Sequence, residues 1–188
     1  MISAPGHIVV ITPIGNFSSA MLSAVSLEIQ RIFGFSVRIQ SLLPNVSFAY
    51  DLDRDQYNST MILQKLDAAA PPEAAKVLGI TEVDLFIPIL TYVYGEAQLG
   101  GKACIVSIHR LSEGISPVNT EAKFVERITK EAIHELGHTF NLRHCPDHAC
   151  SMHYCRCIAD VDNKSDQLCR YCKILLEDAI KKIHPPNP

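Results

Sequence analysis

The sequence lacks the long single-character stretches that would take a chain out of the ordinary globular class. No apolar run approaches the ~20 residues needed to span a bilayer, so a membrane is not expected as a partner. No lysine or arginine run occurs. The 17 basic and 20 acidic residues are mixed along the chain, net charge is -3, and a nucleic-acid surface is not expected either. No internal repeat or low-complexity segment is present. The opening "MISAPGHIVVITPIG" has no basic n-region and reads as a first strand rather than a signal peptide, with nothing resembling a pro-segment before it. These absences lead to the expectation of a cytoplasmic protein. In such a reducing compartment seven cysteines point to metal more than to disulfides.

What is present is enough for a core: 47% of the 188 residues are hydrophobic. "HIVVITP" reads as a buried strand. The next segment has Leu22, Val25, Ile29, Ile32 and Phe33 at steps of three and four, with Asn16 or Ser18 as its start and Gly34 as its stop, which predicts a helix. "FSVRIQSL" alternates like a second strand, implying a parallel crossover. Residues 44–58 read as a loop. "STMILQKLDAAAPPEAAKVLGI" reads as helical, interrupted at Pro71 and Pro72. "DLFIPIL" reads as a third strand made irregular by Pro88. "TYVYGEAQLGGKACIVSIHRL" reads as two extended pieces joined at Gly100-Gly101. After a loop with Gly114 and Pro117, apolar residues at 124, 125, 128, 132, 136 and 140 predict a long helix with Thr120 as a plausible cap. A final helix carries Leu175, Leu176, Ala179 and Ile183 on one face and ends at Pro185 and Pro186.

The long helix carries the chemistry. In "HELGHTFNLRHC", His134 and His138 are four residues apart, so their rings project from nearly one direction. They can take adjacent corners of a tetrahedral zinc site. Glu135 lies ~100° around from His134, beside such a metal but not on it, where a carboxylate can take a proton from water. His144 would point the wrong way if the helix continued. Asn141, a residue tolerant of positive φ, offers the break that would swing His144 back as third ligand. Three ligands and an open fourth corner mark a catalytic zinc.

Six of the seven cysteines lie between 145 and 172. Cys145, Cys150, Cys169 and Cys172 form a C-x4-C…C-x2-C set suited to a closed structural zinc. Spacing alone leaves Cys155 and Cys157 as rival partners. Cys104, within a strand, is expected in the core. His7, His109, His148, His153 and His184 read as surface or core residues.

"HELGHTFNLRH" resembles the metzincin motif H-E-x-x-H-x-x-G-x-x-H, with Asn141 in the glycine place. Cys145, then "CSM" at 150–152 and "CRYC" at 169–172, resembles more narrowly the archaemetzincins, as does "YGEAQLGGKACIVSIHRL" upstream. The likeness covers the second half of the chain closely and the first half in element order. It implies an α/β chain of mixed α+β character with a zincin/metzincin-like fold. Residues 1–144 would form a twisted mixed sheet with helices ending in the active-site helix. Residues 145–188 would form a small cysteine-rich, zinc-stapled lobe with a terminal helix. The resemblance favours Cys145, Cys150, Cys169 and Cys172 as the structural set, giving two zinc ions per chain. It places Met152 as the Met-turn and Tyr154 as a possible oxyanion stabiliser.

The expected function is zinc-dependent hydrolysis of a peptide or protein substrate with Glu135 as general base. An extended substrate would add to the strand near "YVYGEAQ" or "KACIVSI", and Glu96 is a candidate anchor for a substrate amine. The alternative is a zinc-stabilised binding module with vestigial or very narrow activity. The intact Glu135 argues against it, because a structural role needs no general base.

Overall fold

The computed structural model describes residues 8–115 and 120–183. Strand β1 (Ile8–Ile14) leads into helix α1 (Ser19–Phe33) and strand β2 (Ser36–Ile39). Ser18 caps α1 through its hydroxyl, which accepts from the Met21 N–H at 3.1 Å, and Gly34 ends the helix at φ 74°. Then come β3 (Tyr50–Asp51), β4 (Gln56–Asn58), α2 (Ser59–Ala68), β5 (Ala74–Thr81), β6 (Leu85–Phe86), β7 (Gly95–Ala97) and β8 (Ala103–Ser107). Helices α3 (Thr120–Thr139), α4 (Ile158–Asn163) and α5 (Arg170–Ile183) complete the described chain.

The main sheet has the order β2-β1-β5-β8-β7. Its first four strands are parallel, as the strand–helix–strand reading expects, and β7 runs antiparallel along the edge. Helices cover both faces. Val9 and Ile11 join α1 and α3 in one apolar cluster, while Ile8 and Val10 join α2 in the other. A strand buried on both faces reads as a continuous apolar run, which is how "IVVI" at 8–11 looks.

Four expectations are corrected. Residues 70–81 are not helical: α2 stops at Ala68, ahead of Pro71 and Pro72, and "AAKVLGIT" is the central strand β5. Its alanines and leucine suit a helix locally. Burial on both faces removed the alternation that would have marked a strand, and pairing with β1 and β8 decides the matter. Gly79 shows the fit: a Cβ there would come 2.9 Å from Leu66 of α2. Residues 44–58 are not all loop, because a short 3-10 turn, β3 and β4 lie within them. "DLFIPIL" supplies only the two-residue β6, which pairs with β4 in a small second sheet, β3-β4-β6. Thr120 is the first residue of α3 rather than a cap before it. Pro117, Pro185, Pro186, His7 and His184 lie outside the described residues.

The α1/α3 cluster continues into the C-terminal segment through Cys145, Met152, Val161, Leu168, Cys172 and Leu176. Arg127 of α3, 3% exposed at its side chain, forks onto Asp162 of α4 and donates to the Leu111 and Glu113 carbonyls. Among the described residues no helix is long and apolar enough to cross a membrane.

Candidate active site and metal centres

Helix α3 forms the floor of a cleft. One wall is β7 with the segment 87–94 before it, and the other is the segment 143–156. The cleft encloses about 670 Å³. The C-terminal end of α3 is fixed in detail. Asn141 adopts φ 66°, the left-handed conformation expected of it. Its N–H donates to the His138 carbonyl at 2.9 Å, and the Leu142 N–H donates to the Gly137 carbonyl at 3.0 Å. This pair of bonds is the Schellman helix stop. The Gly100 N–H, from the β7–β8 turn, also donates to the His138 carbonyl, and the Lys76 ammonium donates to the Thr139 carbonyl at 2.6 Å. The last carbonyls of α3 are thereby satisfied. Burial pushes the Lys76 ammonium down to about 8.

The reversal at Asn141 brings His144 back. One ring nitrogen from each of His134, His138 and His144 lies within 4.8 Å of the others. His134 Nδ1 is 2.9 Å from the Ser151 carbonyl and His138 Nδ1 is 2.8 Å from the Leu142 carbonyl. A carbonyl only accepts, so both Nδ1 atoms carry hydrogen and both Nε2 atoms present bare lone pairs. Those Nε2 atoms face each other at 3.1 Å. Two lone pairs repel at that distance unless a cation lies between them, and tetrahedral zinc with bonds of about 2.0–2.1 Å spaces its ligands by about 3.3 Å. The donor set therefore fits zinc. Burial, and after it the Lys164 ammonium, holds His134 well below the usual imidazole range; burial also lowers His138 and His144. Neutral imidazole is the ligating form.

Glu135 is 6% exposed, and burial, reinforced by Glu131 one turn earlier, raises its carboxyl well above the ordinary range. It reaches the cleft because β7 gives way: a Cβ on Gly95 would meet Glu135 Cγ at 2.6 Å. Gly137, between the two helix histidines, leaves room for the Met152 sulfur, which packs directly over its Cα. Met152 is fully buried. Tyr154 packs against His144, ring centroids 4.9 Å apart, on the cleft wall. Glu96 also lines the cleft but is held by the Ser59 and Thr60 hydroxyls.

Cys145, Cys150, Cys169 and Cys172 bring their sulfurs within 4.8 Å of one another. Cys145 and Cys169 Sγ lie 3.8 Å apart, too far for a disulfide and close to the ~3.8 Å edge of a zinc tetrahedron with Zn–S about 2.3 Å. The Cys169 N–H donates to Cys150 Sγ and the Cys172 N–H donates to Cys169 Sγ. The second of these bonds is the largest influence holding the Cys169 thiol below its ordinary value, while burial raises Cys150 and Cys172. A divalent cation would reverse the latter effect. Of the rivals, Cys155 lines the cleft and Cys157 is exposed beside Asp160. Cys104 is buried in β8, and all seven thiols are free. His148 and His153 contact each other, and His153 Nδ1 donates to the Cys145 carbonyl.

The sequence reading missed Gly95, Glu131 and Lys164. Lys164 is wholly buried and pairs with Glu131 at 2.8 Å. Burial opposes its charge, but Glu131 and Cys155 together offset that and raise the ammonium above its ordinary value. Glu131 was findable as the residue one turn before Glu135; nothing local marks Lys164 or Gly95.

The family profile of peptidase family M54 matches residues 21–178. The chain is 37% identical over 179 residues to an archaemetzincin of Pyrococcus furiosus, covering 92% of this chain and 93% of that one. It is 36% identical over 174 residues to an archaemetzincin of Methanocaldococcus jannaschii, covering 89% and 92%. The crystal structure of the Methanopyrus kandleri archaemetzincin superposes with a TM-score of 0.82 at 31% identity, covering 96% of this chain and 99% of that chain. The mixed α/β fold is thus the archaemetzincin fold, and the chain belongs to peptidase family M54, with the archaemetzincins, as a zinc metallopeptidase.

Proposed function

We propose that the cleft hydrolyses peptide bonds with Glu135 as general base, His134, His138 and His144 holding a catalytic zinc, and Cys145, Cys150, Cys169 and Cys172 holding a structural zinc. A bound zinc supplies Lewis acidity at the scissile carbonyl and lowers the pKa of water to about 7. The protein's own groups do the rest. Glu135 takes the proton of the attacking water and passes it to the leaving amine. The free edge of β7 offers backbone donors and acceptors to an extended peptide lying over α3. The Tyr154 ring packs against His144, and its hydroxyl would donate to the developing oxyanion. The Ser151 and Leu142 carbonyls keep His134 and His138 in the ligating tautomer.

The single observation that carries this reading is the juxtaposition of the buried Glu135 carboxyl with two bare Nε2 atoms 3.1 Å apart on the same helix. Glu135→Gln tests it. Both metals should remain, by metal analysis, while turnover of a mixed-peptide digest falls by about 10²–10⁴-fold. Equal hydrolysis by the variant would remove Glu135 from the mechanism. Two zinc ions with no cleavage by the parent protein would favour the binding-module alternative.

A further inference from the structure

We infer that Tyr92 closes one end of the cleft and limits the length of peptide it accepts, and that Arg110 is the residue that positions Tyr92. The inference rests on the reading of the cleft as a peptide site. Tyr92 belongs to the wall that precedes β7, yet its hydroxyl reaches the opposite wall and donates to the Arg156 carbonyl at 3.4 Å. The two walls, 64 residues apart in sequence, touch there. An extended chain lying in the cleft has to stop at that point, turn out of it, or displace the tyrosine.

The ring is held from behind rather than left to swing. The Arg110 guanidinium lies over one face, 4.1 Å from the ring centroid, and Tyr94 meets it edge to face at 5.6 Å. Arg110 is itself immobilised by a two-point fork onto Asp84, at 2.7 and 2.6 Å. A forked guanidinium is a more rigid stacking platform than a lysine or a single-bonded arginine. The segment carrying Tyr92 is pinned as well. Arg54 donates to the Leu90 and Thr91 carbonyls at 2.8 and 3.1 Å, and Gln56 joins the Thr91 carbonyl to Asp84. None of Arg54, Gln56, Asp84 or Arg110 borders the main cleft around the histidines. They border a separate polar recess behind its wall. These four residues act on the cleft through the segment 90–92, where Arg110 meets the Tyr92 ring.

The test measures binding, so that it does not depend on turnover. Fluorescently labelled peptides of graded length are titrated against the zinc-loaded Glu135→Gln protein, with and without Tyr92→Ala. With Tyr92 present, affinity should rise with length and then fall once the chain has to pass the tyrosine. Tyr92→Ala should raise the ratio of long-peptide to short-peptide affinity by about tenfold. Tyr92→Phe, which keeps the ring on Arg110, should move that ratio little. Arg110→Met should move it in the same direction as Tyr92→Ala at unchanged zinc content, a result that loss of general stability would not produce. An unaltered ratio in Tyr92→Ala, equal affinity at every length with Tyr92 in place, or no peptide binding at all would overturn the inference. Peptides that bind with this length dependence but are never cleaved by the parent protein would support it while removing the proposed hydrolysis.

Discussion

At the scale of single residues, the two glycines beside the histidine cluster are space reserved for other side chains. Gly137 stands in the last turn of α3, where alanine would ordinarily be favoured over glycine by up to about 1 kcal/mol. A Cβ there would run into the Met152 sulfur, which is fully buried and has no free direction of retreat. Overpacking of that kind costs about 1–3 kcal/mol, so the clash should win. Gly137→Ala is therefore expected to lower the thermal midpoint and the zinc content together, read by calorimetry and metal analysis. A variant more stable than the parent with full zinc would contradict the packing argument. The H-E-x-x-H pattern shows why His134 and His138 converge, because helix geometry alone does it. It cannot show why the residue between them is glycine, because Met152 arrives from 15 positions away in the sequence.

At the scale of elements, the end of α3 joins the two candidate metal centres. His144 and Cys145 are consecutive, one in the histidine group and the other in the cysteine group. The intervening chain is short: the Cys145 N–H donates to the Met152 carbonyl, and the Cys145 carbonyl accepts from His153. Loosening the cysteine group should then loosen the third histidine. Replacing Cys169 and Cys172 with serine is expected to weaken zinc at the histidines by about 10–100-fold, the range seen when supporting groups around a metal are removed. Competition with a chromophoric chelator measures it. Undiminished affinity would make the two sites independent. The Asn141 reversal behind this coupling was legible in the sequence, since a non-glycine residue at positive φ has few chemical candidates and the third histidine demanded a turn. Strand β5 was not, because its identity depends on β1 and β8 lying on either side of it.

At the scale of the whole molecule, the Arg127–Asp162 ion pair helps fasten the floor of the cleft to the C-terminal segment. Hydrogen bonding from Arg127, the largest influence, holds the Asp162 carboxyl down to about 2, against an ordinary value of 3.8. The folded value lies below the unfolded one, so the unfolded chain takes the proton first as pH falls. The pair's contribution is complete above pH 3.8 and is lost as pH drops toward 2. The full shift would correspond to about 2 kcal/mol, and with Asp162 partly solvated about 1 kcal/mol is the better expectation. Asp162→Asn should unfold at lower denaturant than the parent at pH 5, and the gap should narrow by pH 3. A gap independent of pH would show that the side chain acts through packing instead.

The sequence by itself determined which candidate ligands come together: two histidines and a glutamate at helical spacing, a breaker before the third histidine, and four cysteines in pairs. Such spacing is local, and the regular geometry of a helix or a tight turn converts it directly into direction. Only the tertiary structure decided the surroundings. It set Gly95 against Glu135, Lys164 beside Glu131, Met152 over Gly137, and Tyr92 across to Arg156. Each of those contacts joins segments far apart in the chain. They exist because two faces of one sheet and a cysteine-rich segment had to be buried together, and no pattern along the chain records which distant side chains then meet.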